Sequence, residues 1–270
     1  MTAIAAVGHL TRDVVAGGEP RPGGGVFYAA RALGRLGASA VVGASCAASD
    51  RDVLVPPLEA FGLPVTWYES AATTAYSFHY EGDRRIMWQD AIGDPWSAEQ
   101  AVGAARDARW VHVGALTRTD FGPETLAALA GEGRMLLVDA QGPIRTAALG
   151  PLRRDGDIGE ILHHVEILKL NDEEAEALVG SAAPERLRAL GVPEVILTLG
   201  SRGAWVVTPD ALEHVEADAL EGLVDPTGAG DTFSAAYLVA RAGGAEPVEA
   251  ARDATRTVAA FLAGEREGSP

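Results

Sequence analysis

Short apolar runs alternate with segments of helical spacing, and this alternation limits the possible folds of the chain more than any other feature. Ala3–Val7 is an apolar run stopped by Gly8. Val26, Phe27, Ala30, Leu33 and Leu36 follow at helical spacing, with Gly37 as a stop. The pattern predicts extended chain at Ser39–Gly43, a helix over Asp52–Phe61 and extended chain at Pro64–Tyr68. Further strands are expected at Trp110–Val113, Met135–Asp139, Val165–Leu170 and Val195–Leu199. Apolar strands separated by helices imply an α/β chain built on a mostly parallel sheet with helices on both faces. Thr73–Gln89 breaks the rhythm. Tyr76, Phe78 and Tyr80 fall on one side, Ser77 and His79 on the other, Glu81-Gly82-Asp83 supplies a turn, and Arg85–Trp88 returns. That is a β-hairpin, either an edge of the main sheet or a small lid over one end.

Charge narrows the partners. Among 270 residues, 22 Lys and Arg stand against 38 Asp and Glu, a net charge of −16. Such a chain lacks the basic surface that phosphate backbones require, so no nucleic-acid partner is expected. A nucleotide ligand stays open, because a few backbone dipoles can hold it. The single cysteine, Cys46, excludes an internal disulfide framework and an all-cysteine metal cage, and it reads as a small core residue. No stretch approaches the ~20 apolar residues of a membrane span, and the first residues lack the basic start of a secretory signal. A cytoplasmic protein with no membrane contact is expected, with a frayed tail at 264–270.

Residues 224–234 read VDPTGAGDTFS. Gly228, Ala229 and Gly230 allow a sharp turn and close approach to a ligand, and the apolar run Thr232–Ala242 after them predicts a helix. Amide groups at a helix start form an anion site, and Asp231 places a carboxylate at the same point. Phosphoryl transfer needs this pairing: donors for the charge on the transferred group, and a base for the attacking hydroxyl. A plain helix start, with Asp231 complementing the dipole, explains the local pattern equally well. Phe233 stands where a GxGxxG fingerprint needs its third glycine, and GK[ST] is missing, so neither a dinucleotide fold nor a P-loop is indicated.

DPTGAGDTFSAA resembles the C-terminal signature of the PfkB, or ribokinase-like, carbohydrate kinases. Four further stretches agree in order. They are Asp13 after the first strand, Gly23-Gly24-Gly25 before the helix, Lys169-Leu170-Asn171 with Glu174, and Leu197–Ala204 with Thr198, Gly200 and Gly203. The resemblance implies a Rossmann-like three-layer α/β sandwich with a β-lid, one kinase domain over 1–270 with the lid formed by about 9–22 and 73–90. It implies ATP and Mg²⁺ as cofactors and a small polyol as acceptor. By the same resemblance Asp231 is the catalytic base, Gly228, Ala229 and Gly230 form the anion hole, and Asp13, Gly24 and Gly25 line the acceptor. Thr198, Gly200 and Gly203 line the nucleotide, while Asn171 and Glu174 act through water on the metal and phosphates, with no direct metal ligand. In isolation, Asn171–Glu174 also reads as a helix N-terminus and Gly200–Gly203 as a hairpin turn.

Ribokinase-like sequences commonly carry Asn where this chain has Tyr28, four positions after the glycine pair, which speaks against a ribose or nucleoside acceptor. VGHLTRDVV, GGGVFYAARAL, TTAYSFHYEGDRR and VDAQGPIR are similar to archaeal-type myo-inositol kinases. Gln141, and with it Arg145, follows a strand end, where ligands of parallel sheets gather; a simple turn is the alternative. His9 and His112 are expected to be satisfied structural residues, with His9 able to approach the acceptor. A pentose, hexose or nucleoside kinase and a catalytically silent binding protein on the same fold are the competing readings. A homodimer through the lid is a further expectation.

Overall fold

Along β1 (Ile4–His9), Ile4 and Ala6 enter one core while Ala5 and Val7 enter another. A strand buried on both faces has no polar side, and for that reason the run is continuously apolar. In the computed structural model, which describes residues 3–15, 18, 21–81, 84–218 and 225–267, the chain continues as follows. After β1 come β2 (Thr11–Val15), β3 (Arg21–Gly23), α1 (Gly25–Arg35), β4 (Ala40–Ala47), α2 (Arg51–Glu59), β5 (Val65–Ser70), β6 (Thr74–Glu81) and β7 (Arg84–Ala91). Next are α3 (Ala98–Ala105), β8 (Trp110–Gly114), α4 (Pro123–Leu129), β9 (Met135–Asp139), β10 (Gly150–Pro151), α5 (Gly159–Leu162), β11 (Ile167–Asn171) and α6 (Asp172–Val179). Last are β12 (Glu194–Thr198), β13 (Ala204–Val207), β14 (Leu212–Val215), α7 (Ala229–Ala242) and α8 (Pro247–Glu267).

Nine strands form the large sheet in the order β14-β13-β12-β11-β9-β8-β1-β4-β5. From β12 to β5 every pairing is parallel, and β13 and β14 close one edge antiparallel. Buried residues of α1, α2, α7 and α8 cover one face; those of α3, α4, α5 and α6 cover the other. This is the expected three-layer α/β architecture. Cys46 is fully buried in the first core. Among the described residues no helix is long and apolar enough to cross a membrane.

The segment that breaks the rhythm forms a second sheet, ordered β10-β7-β6-β2-β3. Its inner face buries Tyr76 and Phe78 against Leu116, which follows β8. Tyr76 Oη donates to the Leu116 carbonyl at 3.1 Å. Asp120 fixes that carbonyl in turn by accepting the amides of Leu116 and Thr117 at 2.7 and 3.1 Å. The expected hairpin turn at Gly82-Asp83, parts of the 9–22 segment, Val224 and residues 268–270 lie outside the described residues.

Three element boundaries differ from expectation by three residues or more. Helix α7 begins at Ala229 rather than Thr232, so Gly230 and Asp231 lie inside its first turn. The end expected to fray from Gly264 is instead the last part of α8 as far as Glu267, a helix anchored through buried Ala250, Ala251 and Ala254. Strand β4 extends to Ala47, beyond the expected Gly43, because Ala44 and Cys46 are also core positions.

Candidate active site

The carboxyl ends of β1, β8, β9, β11 and β12 lie on one side of the sheet. The starts of α1, which follows β3, and α7, which follows β14, converge. Gly24 caps α1 at φ +96° and Gly228 caps α7 at φ +76°, and neither helix has a side-chain cap. The approach demands glycine: a Cβ on Gly25 would lie 2.9 Å from Asp231 Oδ1, and one on Gly228 would lie 2.4 Å from Tyr28 Cδ1. In the turn before α7, Asp225 accepts from Thr227 N at 3.0 Å and Thr227 Oγ1 at 2.6 Å. The amide of Ala229 donates to the Pro226 carbonyl at 3.0 Å, so Ala229 does not offer the free N–H expected of it. Among the described residues, Gly228, Gly230 and Asp231 donate to no carbonyl outside the helix. Those amides are the ones free to take the expected anion-binding role, at the positive end of the α7 dipole.

Asp231 is half-buried at this convergence. Burial raises its pKa to about 7, Asp139 and Glu174 push in the same direction, and Lys169 and Arg145 oppose them. A carboxyl group that exchanges its proton near neutrality suits a base acting on an alcohol. Lys169 Nζ lies 2.8 Å from Asp139 Oδ2, a pair buried on neighbouring strands β11 and β9. A Cβ on Gly230 would come within 2.7 Å of the same ammonium, so Lys169 stands at the first turn of α7. Burial alone would pull its pKa down, but the charges of Asp139, Glu174 and Asp231 and the hydrogen bond to Asp139 outweigh burial and keep it protonated. In the sequence, Lys169 and Asp139 stand only as flanks of a motif. Their pairing was not visible there, because it arises from the alignment of two strands 30 residues apart.

Asn171 and Glu174 form a capping box at the start of α6. Glu174 N donates to Asn171 Oδ1 at 2.9 Å, and Asn171 N donates to Glu174 Oε2 at 2.8 Å. The helix-start reading and the site reading thus hold together: Glu174 is buried and sits within the charge cluster, where burial and Asp139 raise its pKa. Thr198, Gly200 and Gly203 line a cavity of about 400 Å³, closed on its other side by Ala229, Gly230 and Phe233 of α7 and Val258 and Leu262 of α8.

Asp13 and Tyr28 come together with Asp231. Burial raises the Tyr28 hydroxyl to about 12, and the charges of Asp13 and Asp231 add to it. For Gln141 the structure gives a turn position, its amide donating to Asp139 Oδ1 at 3.0 Å. Arg145, four residues later, is the one that reaches inward. It is buried, its guanidinium lies 5.4 Å from the Tyr76 ring centroid, and its charge lowers the pKa of both Asp231 and Glu174. His9 and His112 are buried, but among the described residues neither ring nitrogen of either has a hydrogen-bond partner, His9 Nε2 standing 4.0 Å from Asp120 Oδ2, so they are not the satisfied pair anticipated. Burial lowers both pKa values, His112 to about 4, so both are neutral at physiological pH.

A parallel α/β sheet with two uncapped helix starts converging on a half-buried carboxylate is an arrangement suited to anion binding and phosphoryl transfer. The chain belongs to the pfkB family of carbohydrate kinases, whose family model matches residues 11–269. Among solved structures it resembles a pyrophosphate-dependent kinase of the ribokinase family complexed with a pyrophosphate analogue and myo-inositol. That likeness has a TM-score of 0.85 and 25% identity, covering 96% of this chain and 94% of the other. Among curated proteins, it is 33% identical over 133 residues to the bifunctional protein HldE of Mesorhizobium japonicum, 47% of this chain but 25% of that protein. It is 26% identical to a fructokinase of Rhizobium leguminosarum bv. trifolii over 87% of this chain and 76% of that one. For the Staphylococcus aureus ribokinase the match is 29% identical over 34% of this chain and 33% of that protein, so the first curated relatives are matched over a third of their length or less.

Proposed function

We propose that this protein is an ATP-dependent kinase that phosphorylates a hydroxyl of a small polyol, with myo-inositol or a related cyclitol as the favoured acceptor. One observation carries the kinase reading: Asp231, with a pKa near 7, lies at the amino ends of α1 and α7 beside the Lys169 ammonium. The acceptor hydroxyl gives its proton to Asp231, its oxygen forms a bond to the terminal phosphorus, and the bond from that phosphorus to the bridging oxygen of the donor breaks. The amides of Gly228, Gly230 and Asp231 and the Lys169 charge stabilise the transferring oxygens. Asp13 and Tyr28 orient the acceptor. Gly24 and Gly25 let the backbone approach it closely, and Gln141 extends that wall.

The cavity beside α8 supports a nucleotide donor. A volume of about 400 Å³ lined by Phe233, Val258 and Leu262 accommodates a base and sugar, which inorganic pyrophosphate does not possess. Likeness to a pyrophosphate-dependent kinase favours the second donor, so both belong in the test. Mg²⁺ fits this site through water. Asn171 and Glu174 already bond each other, and no group of three potential ligands stands together among the described residues. When bound, the ion would neutralise charge on the donor phosphates. The myo-inositol preference rests on Tyr28 and on the resemblance of the acceptor-side segments. We further propose that the small sheet acts as a lid over the acceptor, that copies pair through its outer face, and that the protein works in the cytoplasm, where ATP is supplied.

The test is a donor-by-acceptor panel on purified protein: ATP or pyrophosphate against myo-inositol, D-ribose, D-fructose and adenosine. Transfer from ATP to myo-inositol with the highest kcat/KM is expected. A preference for ribose or adenosine overturns the acceptor reading, and a preference for pyrophosphate overturns the donor reading.

A further inference from the structure

The small sheet carries a buried amide that nothing among the described residues satisfies. Gln89 is 1% exposed, and neither its Oε1 nor its Nε2 has a hydrogen-bond partner. Its position on the sheet is fixed by register. Gln89 pairs with Tyr76 across β7 and β6, and Tyr76 pairs with Asp13 across β6 and β2. Directly paired residues point to the same face, so Asp13, Tyr76 and Gln89 form one row across three strands. Tyr76 shows which face this is: its ring is buried against the main body, its hydroxyl reaches Leu116 and Arg145 lies over it, whereas Trp88 next door points outward and is exposed. Thr11, two residues before Asp13 on the same face, also buries a hydroxyl without a partner.

Burying an unbonded amide is costly, and native proteins seldom accept it without a ligand or water to complete the bonds. A side-chain amide offers two donors and an acceptor with two lone pairs. Asp13 at the other end of the row can only accept when ionised. An amide can accept from one hydroxyl and donate to the next, which matches the adjacent hydroxyls of a cyclic polyol. We propose that Gln89 is an acceptor-binding residue, its amide engaging two neighbouring hydroxyls and so selecting which hydroxyl of the ring is turned toward Asp231. This assignment rests on the kinase reading above and adds the residue that sets the position of phosphorylation.

The experiment is Gln89→Leu, with Gln89→Met as a second variant should leucine impair folding. Each is assayed with the acceptor that the wild-type protein prefers among myo-inositol, D-ribose and D-fructose. The expected result is an acceptor KM raised about tenfold or more, an unchanged donor KM, and a product in which more than one position is phosphorylated, read by NMR. Thermal unfolding without ligands should show no loss, since an apolar side chain replaces an unsatisfied amide. An unchanged acceptor KM with a single product isomer overturns the assignment, as does an equal rise in both KM values, the mark of a merely structural residue. If the wild-type protein transfers phosphate to none of the acceptors, the kinase reading itself fails and this inference falls with it.

Discussion

Asp231 concentrates the chemistry in a single titration. Its pKa of about 7 means the free protein holds the base protonated in acid, so kcat/KM should fall about tenfold per pH unit below 7 and level off above it. A flat profile between pH 5.5 and 8 would remove Asp231 from the base role. The same group predicts a stability effect. Its folded pKa stands above the ordinary carboxylate value of 3.8, so deprotonation disfavours the folded state increasingly from about pH 4 to pH 7. Asp231→Asn should therefore raise the melting temperature more at pH 8 than at pH 4, and equal shifts at both would contradict that burial. Lys169→Met should do the opposite. It leaves Asp139 buried without its partner at a cost of about 3–5 kcal/mol, which chemical denaturation would measure.

At this scale the sequence revealed the glycines, Asp13, Tyr28 and Asp231, because the motif places them next to each other or to a strand end. It revealed less of Lys169, Asp139 and Arg145, and Gln89 not at all. A glutamine on a hairpin looks like any solvated strand residue until pairing shows which face it occupies.

Among elements, the two uncapped helix starts decide the site. Gly228 holds φ +76° with Tyr28 packed against it, so Gly228→Ala should lose roughly 1–2 kcal/mol from the left-handed backbone alone and more from the collision. Its turnover should drop as Asp231 shifts with the helix. Helix α8 forms the outer wall of the cavity through Val258 and Leu262. Val258→Trp should raise the KM for ATP about tenfold or more (~1.4 kcal/mol) while leaving the acceptor KM in place; equal effects on both would mean that the cavity does not hold the donor. The strands of the large sheet were legible because both-face burial writes a continuous apolar run. Helix α8 was not read, and α7 was read three residues short. Glycines and an aspartate in a first helical turn look like loop residues, and α8 ends on the polar stretch Glu265-Arg266-Glu267.

The whole molecule is a large parallel sheet with a small sheet turned against its carboxyl edge. The small sheet was only half visible beforehand. Its hairpin follows from alternation, but the parallel pairing of β2 with β6 and the two-residue β10 join segments up to 139 positions apart, from Thr11 to Gly150, and no local pattern records them. The −16 charge is compatible with the proposed anionic donor, because in the proposed mechanism backbone amides and Lys169, rather than a basic face, meet the phosphates. Trp88 on the outward side of the small sheet gives the proposed dimer an apolar anchor. Gel filtration should show a dimer that Trp88→Glu dissociates, and a monomeric wild-type protein would refute it.

The most direct measurement of the central claim is the rate of ADP formation from ATP and Mg²⁺ with myo-inositol, compared between the wild-type protein and Asp231→Asn. The account predicts acceptor-dependent ADP release by the wild type and a loss of roughly 10²–10⁴-fold in the variant, with ATP binding retained. Equal rates in the two proteins would contradict it.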